Sequence, residues 1–288
     1  MKNVLLLGDN GMLGSMLRRV LSAEDFNLTS TRRHPVRDNQ IKFDVEVDDL
    51  GEVLGRVGGV DAIVNAIGVI KPRIDEGDTE SRTNAIRVNA DFPHELSQLA
   101  REAGAHVFQI ATDCVFSGTA RLYDENSPHD PTDVYGKTKS LGEVPSTNVL
   151  HLRASIIGPE EGRSTSLWEW VRNQPANATI NGFMNHLWNG VTTYHFSRVV
   201  AGMIKHDFLL SGAVHLVPND IVSKADLVTF IAQASGRDDI VINRIDAANH
   251  IDRTLSTTDT DRNQRMWSLA GYASAPNIAS MVSETPLT

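Results

Sequence analysis

The chain of 288 residues has little cysteine and no long apolar run, and each absence excludes a class of protein. Its single cysteine, Cys114, cannot form an intramolecular disulfide, and a cysteine-based structural zinc site is excluded. The apolar run near the amino terminus, Val4–Leu7, is too short to cross a membrane and lacks the layout of a signal peptide. We therefore expect a cytoplasmic protein with no membrane association and no metal site.

An excess of positive charge is also missing. The chain carries 27 Lys and Arg against 36 Asp and Glu, a formal net charge of -9. Broad electrostatic attraction to nucleic acid is therefore not expected, and any anionic ligand must be met by local positive charge. A hydrophobic content of 41% with 22% charged residues is ordinary for a folded globular protein.

Short apolar runs alternate with amphipathic stretches through the first half of the chain, a pattern that predicts βαβ units. The fold class predicted is α/β, a doubly wound parallel (Rossmann) sheet. The predicted strands are Val4–Leu7, Leu28–Ser30, Ala62–Ala66, Val107–Ala111, Val149–Arg153 and Ala213–Val217. The predicted helices are Met12–Leu21, Thr83–Ala103 and Val134–Glu143.

The pattern loosens past Arg153, which suggests a division of the chain. We predict a cofactor-binding core over residues 1–154, to which residues 187–217 return. A smaller, interleaved substrate-binding portion is predicted over residues 155–186 and 218–288. In doubly wound sheets ligands lie beyond the carboxyl ends of the strands, so the residues just after each strand are the informative ones.

A glycine-rich loop follows the first predicted strand and opens a helix. Gly8 would permit the tight turn, Gly11 would let the backbone approach a diphosphate, and Gly14 would let helix and strand pack closely. Asn10, Met12 and Leu13 complete the predicted contacts of this loop.

The end of the second predicted strand carries no carboxylate for the ribose hydroxyls of NADH. Thr31, Arg32 and Arg33 stand there instead, and arginines can pair with a 2′-phosphate, so NADPH is the predicted cofactor. The alternative is that both arginines are solvated surface charges.

Two later strand ends add weaker predictions of cofactor contacts. Asp44 and Val45 are placed beside the adenine. Asn65, Ala66, Ile67 and Gly68 are placed beside the cofactor ribose, although Asn65 would serve equally well as the cap of a turn.

A Y-x-x-x-K spacing puts Tyr135 and Lys139 on one face of a predicted helix, one turn apart. An ammonium beside a phenol lowers the phenol pKa, so Tyr135 is predicted to act as general acid toward a carbonyl oxygen. Thr112 ends the fourth strand of the apolar pattern, where its hydroxyl would share that oxygen. Agreement among loop, strand-end hydroxyl and Tyr/Lys pair carries more weight than any motif alone.

These motifs, with their flanking residues, resemble the dTDP-4-dehydrorhamnose reductase branch of the extended short-chain dehydrogenases. The segments that carry the resemblance are Ala111–Gly118, Tyr123–Pro128, Tyr135–Lys139, Gly142–Glu143 and Leu152–Ser155. Two departures stand out. Cys114 replaces a tyrosine common in that branch, and the loop Phe183–Thr193 is more similar to relatives acting on UDP-linked 2-acetamido-2,6-dideoxyhexosuloses.

The resemblance implies a Thr112/Tyr135/Lys139 triad and NADPH-dependent reduction of the C4 ketone of a nucleotide-linked 6-deoxy-4-hexulose in surface polysaccharide synthesis. The sugar would be dTDP-4-dehydrorhamnose or a UDP-2-acetamido-2,6-dideoxyhexos-4-ulose. The predicted substrate contacts are Val69, Thr112, Cys114, Val115, Phe116, His186, Asn189 and Arg253. Positive charge for the substrate diphosphate is expected from Arg153, Arg163 or Arg253. Trp168 and Trp170 would line the pocket or straddle a helix, one buried and one part exposed.

Three other activities are alternatives to this reduction. A 4,6-dehydratase is disfavoured because Cys114 stands where those enzymes have a glutamate. A bifunctional epimerase and reductase of the GDP-fucose synthase type would use Cys114 with His186. A catalytically silent NADP-binding regulatory subunit would keep the glycine loop without turnover. The oligomeric state stays open, a homodimer being one arrangement.

Overall fold

The computed structural model describes residues 1–162 and 164–287, and within them seven parallel strands form a central sheet. The strands of the described residues are β1 Lys2–Leu7, β2 Phe26–Arg32, β3 Gln40–Lys42, β4 Ala62–Asn65, β5 His106–Ala111, β6 Val149–Arg153, β7 Ile156–Ile157, β8 Thr179–Phe183, β9 Leu187–Trp188, β10 Val191–Thr192, β11 Gly212–His215, β12 Val222–Ser223 and β13 Val241–Ile245. The central sheet runs in the order β11-β6-β5-β4-β1-β2-β3. The predicted fold class is confirmed.

Helices cover both faces of this sheet. They are α1 Met12–Leu21, α2 Leu50–Val57, α3 Thr79–Ile86, α4 Phe92–Glu102, α5 Val134–Leu141, α6 Leu167–Arg172, α7 Thr193–Lys205, α8 Lys224–Ala234, α9 Thr260–Leu269 and α10 Ile278–Glu284. No helix in the described part of the chain has the length and apolar character needed to cross a bilayer.

Alternation along β1 explains the two-sided core. Val4 and Leu6 pack with α1 and α7 on one face, whereas Leu5 and Leu7 pack with α2 and α4 on the other. Successive side chains of a strand point to opposite faces, so a strand covered on both sides is apolar throughout. This sandwich fixes the carboxyl ends of β1, β4 and β5, where the site lies.

The carboxy-terminal part adds three two-stranded sheets, which pair β7 with β10, β9 with β12 and β8 with β13 among the described residues. Its large side chains, Trp168 and Trp267, belong to the same apolar cluster as the α1 face of the central sheet. Strand β11 joins the central sheet beside β6. The division of the chain into two portions stays a prediction.

One predicted helix, Thr83–Ala103, is in fact two helices joined by a π-helical turn, Arg87–Asp91. Pro93 lacks the N–H that would bond the carbonyl of Asn89, which favours the widened turn. A Cβ on Gly142 would lie 2.0 Å from that Asn89 carbonyl oxygen, so α5 packs directly on the turn. The sequence patterns also missed β3, which is only three residues long, and α2, which contains two glycines.

Candidate active site

A cavity of about 430 Å³, here called the inner cavity, opens at the carboxyl ends of β1, β4 and β5. Its floor comes from the glycine loop and the strand ends, and its far wall comes from the carboxy-terminal portion. The predicted residues that line it are Gly11, Met12, Leu13, Gly14, Ala66, Ile67, Gly68, Val69, Thr112, Cys114, Tyr135 and Lys139.

A second cavity of about 370 Å³, the outer groove, lies on the other side of the glycine loop. It shares Gly11, the Ala66–Val69 segment and Arg73 with the inner cavity, so the two are continuous. The predicted residues that line only this groove are Gly8, Asn10, Arg32, Arg33, Asp44 and Val45. An elongated ligand can therefore extend over the loop from one cavity into the other.

The glycine loop has the geometry that a bound diphosphate requires. Gly8 adopts φ +83°, and a Cβ on Gly14 would lie 2.0 Å from the Gly8 carbonyl oxygen, so both positions need glycine. A Cβ on Gly11 would meet no atom within 4 Å and would project into the open cavity. Helix α1 begins here with no side-chain cap, which leaves its first N–H groups free for an anion.

Arg32 and Arg33 border the outer groove, as the NADPH prediction requires. The Nη2 of Arg32 donates to Asn10 Oδ1 at 3.2 Å, and its Nε lies 4.0 Å from the buried Asp9 carboxylate. This anchoring holds one face of the guanidinium over the groove. The Arg33 side chain has fewer contacts: it is 60% exposed, and its Nη1 lies 4.0 Å from Asp44 Oδ2.

Two residues predicted to contact the cofactor lie beneath the loops instead. The hydroxyl of Thr31 accepts a bond from Gly8 N at 3.2 Å. Asn65 is fully buried, donates to Gln109 Oε1 at 2.8 Å and accepts from Ile67 N at 3.0 Å. Its side chain therefore caps the turn after β4, the second of the two roles weighed for it.

Close packing of α5 brings Tyr135 to the end of β5. A Cβ on Gly136 would lie 2.2 Å from the carbonyl oxygen of Cys114, so only glycine allows this approach. Asp133 caps the helix by accepting from Gly136 N at 2.7 Å. Thr112, Tyr135 and Lys139 consequently line one cavity, where the Thr112 hydroxyl donates to Asp113 Oδ1 at 3.1 Å.

The electrostatics of this triad differ from the sequence prediction. Burial, with the nearby Cys114, raises the pKa of Tyr135, while the Thr112 hydroxyl opposes the rise. Burial lowers the pKa of Lys139 to about 8, against the opposing charge of Glu143, and its Nζ donates to Ile110 O at 2.9 Å. The prediction that Lys139 lowers the phenol pKa is not met here, because burial dominates. Tyr135 is accordingly a protonated acid at neutral pH.

Cys114 is a thiol in this environment. Burial first, and then the charge of Asp113, raise its pKa to about 12, and burial likewise raises the pKa of Asp113. His186, the predicted partner of Cys114, instead bonds through Nε2 to Asn249 O at 2.7 Å and packs on Phe183. The thiol and the imidazole are therefore not brought together as an acid–base pair.

Several predicted substrate contacts point away from the inner cavity. Val115 and Phe116 are fully buried in a small cluster with Tyr123 and Leu255, because the 3₁₀ turn Asp113–Val115 turns the chain inward. The side-chain amide of Asn189 bonds to the Leu255 backbone instead: its Nδ2 donates to Leu255 O at 2.6 Å, and its Oδ1 accepts from Leu255 N at 2.9 Å.

The arginines expected at the substrate diphosphate are placed differently from one another. Arg153 is 2% exposed and bonds Glu143, so it is not available to a ligand. Arg253 donates from Nε to Phe116 O at 2.8 Å, and its charge acts on Asp113 and Cys114 from the edge of the site. Arg163 lies outside the described residues.

Trp168 is fully buried and Trp170 is 44% exposed, so this pair straddles α6.

The sequence analysis missed several residues that line the cavities, and three of them are Arg73, Trp188 and Lys224. Arg73, from the 3₁₀ turn after β4, lines both cavities, whereas Trp188 and Lys224 form the far wall of the inner cavity. None belongs to a motif with fixed spacing.

Within residues 1–162 and 164–287 no cluster of His, Cys, Asp and Glu is suited to hold a metal ion.

Relatives of known name share parts of this sequence. A methionine adenosyltransferase 2 subunit beta from Danio rerio is 27% identical over 248 residues, which cover 81% of this chain and 74% of the relative. A dTDP-4-dehydrorhamnose reductase from Streptomyces griseus is 31% identical over 147 residues, 51% of this chain. The aligned part is 45% of that reductase's length.

The fold is shared more widely than the sequence. A dTDP-4-dehydrorhamnose reductase from Bacillus anthracis, solved in complex with NADP, superposes with a TM-score of 0.75 at 18% identity and covers 98% of both chains. The model of the family described as "RmlD substrate binding domain" matches residues 1–265. The chain therefore belongs to the RmlD substrate-binding-domain family.

Proposed function

We propose that this protein is an NADPH-dependent reductase of the C4 ketone of a nucleotide-activated 6-deoxy-4-hexulose. The observation that carries the proposal is the meeting of Thr112, Tyr135 and Lys139 in a cavity continuous with the glycine-loop groove. The reductase names of relatives, one of them solved with NADP, support it. A dTDP-linked or a UDP-linked sugar fits the proposal equally.

The residues of the chain divide the work of reduction. When bound, NADPH supplies the hydride that adds to the ketone carbon. Tyr135, protonated because burial raises its pKa, donates its proton to the ketone oxygen. Thr112 orients that oxygen through its hydroxyl, and Lys139 binds the cofactor ribose and offsets the negative charge left on Tyr135.

Replacement of Arg32 and Arg33 by alanine should change the cofactor preference. We expect the double variant to bind NADPH about 10- to 100-fold more weakly, because charge-assisted bonds to the 2′-phosphate are lost. NADH affinity should hardly change, since NADH lacks that phosphate. Fluorescence titration of both cofactors measures the ratio, and the pair Arg56→Ala with Arg101→Ala, exposed on α2 and α4, is the control. Equal loss for NADH and NADPH would contradict the assignment.

The reaction should lose rate at alkaline pH. The pKa of Lys139 is lowered to about 8, so its ammonium is present below that pH and is lost above it. We expect kcat/KM for NADPH to fall about tenfold per pH unit above this value. In Lys139→Arg the fall should move to higher pH, because arginine stays charged. If kcat/KM of the wild type stays constant up to the pH at which an ordinary lysine loses its proton, this role for Lys139 is contradicted.

The activity itself is tested by mixing the protein with NADPH and a panel of dTDP-, UDP- and GDP-linked 4-ketosugars. Loss of NADPH absorbance with one member of the panel, matched by formation of the sugar alcohol, is the expected result. NADPH binding without turnover across the whole panel would contradict the proposal.

A second candidate function rests on the Danio rerio relative, which is named as a subunit of methionine adenosyltransferase. A non-reducing subunit would keep the glycine loop and bind cofactor without turnover. The complete triad in the inner cavity favours the reductase. An epimerase that uses Cys114 is disfavoured, because the thiol is protonated and His186 bonds elsewhere.

A further inference from the structure

Lys224, the first residue of α8, has a backbone fixed by three features. Strand β12 pairs with β9, the Lys224 N–H donates to His186 O at 2.8 Å, and Ser223 caps the helix in a capping box with Asp226. A residue held in this way has a fixed direction of its Cα–Cβ bond. The Lys224 side chain lines the inner cavity with Thr112, Cys114 and Tyr135.

The ammonium of Lys224 lies over an aromatic ring that is itself held in place. Its Nζ is 5.6 Å from the centroid of Trp188, which is 4% exposed. The indole Nε1 of Trp188 donates to Ser155 Oγ at 2.8 Å, which fixes the ring. This cation–π contact holds the ammonium at the cavity wall and leaves its N–H groups directed elsewhere.

Several other lysines of the chain have oxygen partners. Lys139 donates to Ile110 O, Lys71 pairs with Asp133 and Lys205 pairs with Glu24. Within the residues that the structure describes, no oxygen accepts a hydrogen bond from Lys224 Nζ. An ammonium has three N–H donors. A half-buried ammonium whose donors have no acceptor in the protein can donate hydrogen bonds to the oxygens of a ligand.

Asp113 provides the complementary charge in the same cavity. Burial lowers the pKa of Lys224, and the charge of Asp113 opposes that shift, so the two groups act on one another. A cavity lined by the carboxyl groups of Asp113 and Glu160, the ammonium groups of Lys139 and Lys224 and the ring of Trp188 matches a polyhydroxylated ring, which offers donors, acceptors and C–H faces.

We propose that Lys224 is a substrate-positioning residue whose ammonium binds a ring-substituent oxygen of the sugar beside the ketone. This contact would hold the ketone against Thr112 and Tyr135. The assignment rests on the proposed function, because it takes the ligand of the inner cavity to be the sugar of a sugar nucleotide.

The test measures how much the sugar contributes to binding, apart from the contribution of the nucleotide. Calorimetry with NADP-loaded protein gives the Kd of dTDP, UDP and GDP and of the corresponding nucleotide-glucoses for the wild type, Lys224→Met and Lys224→Gln. For the nucleotide that binds, the Kd ratio of nucleoside diphosphate to nucleotide-glucose should fall about 10- to 100-fold in both variants. NADPH affinity should be unchanged, which also shows that the variants are folded. Lys205→Met, on the surface of α7, is the control.

With a ketosugar that the wild type reduces, the same variants should show a KM for the sugar raised by a similar factor and an unchanged KM for NADPH. If both variants bind nucleoside diphosphate and nucleotide-glucose more weakly by the same factor, Lys224 lies at the diphosphate and the assignment is overturned. Kd values equal to those of the wild type for both ligands would also overturn it. A wild type that binds sugar nucleotides without reducing them would overturn the proposed function alone. A wild type that binds none would overturn both.

Discussion

Tyr135→Phe should lower kcat by about 10²- to 10⁴-fold, the range for loss of a general acid. The phenol is the one proton donor that our mechanism places at the ketone oxygen, and removal of its hydroxyl leaves the ring packed beside Cys114. Cofactor binding should survive, because the glycine loop, Arg32 and Lys139 do not depend on that hydroxyl. Steady-state kinetics with NADPH titration measures both quantities.

Tyr194→Phe is the matched control for this change. Tyr194 lies on α7, where its hydroxyl accepts from Arg198 Nη1 at 3.2 Å, and it does not line the inner cavity. Its turnover should equal that of the wild type. Turnover in Tyr135→Phe that is equally unchanged would exclude Tyr135 as the acid, whichever sugar is reduced.

Arg153→Ala should destabilise the fold by about 3–5 kcal/mol, the cost of leaving a buried charge unpaired. The Arg153 Nε donates to Glu143 Oε1 at 2.8 Å, and the side chains of both residues are at least nine-tenths buried. Its Nη1 and Nη2 face the imidazoles of His215 and His129 at 3.0 and 2.6 Å. Burial and the Arg153 charge keep both histidine pKa values low, so the rings are neutral acceptors.

Urea unfolding followed by circular dichroism gives the loss of stability. Arg87→Ala is the control, since Arg87 pairs with Glu95 at 3.1 Å on the surface and exposed pairs contribute less than about 1 kcal/mol. A loss in Arg153→Ala no larger than in this control would show that the buried pair contributes no more than a surface one.

Local patterns predicted the part of the site that is built from local geometry. The glycine loop depends on one turn, and the pairing of Tyr135 with Lys139 depends on one helical repeat, so spacing alone revealed both. Gly136 shows a feature of the site that residue spacing does not reveal. Its importance comes from contact with the Cys114 carbonyl, which no spacing within α5 encodes.

The remaining errors have a common physical origin in chain direction and long-range packing. Val115 and Phe116 follow a catalytic strand end, as ligand contacts do, yet a 3₁₀ turn directs them into the core. Arg153 resembles a surface cation in sequence, but α5 supplies Glu143 as a buried partner. Lys224 reaches the cavity only because β12 pairs with β9.

The most direct test of the proposed reduction uses NADPH carrying deuterium at the transferable position of its nicotinamide ring. After incubation with the ketosugar that the panel identifies, mass spectrometry should show one deuterium bound to C4 of the product sugar, with one equivalent of NADP formed. Product without deuterium, or NADPH consumption with an unreduced sugar, would contradict hydride transfer to C4.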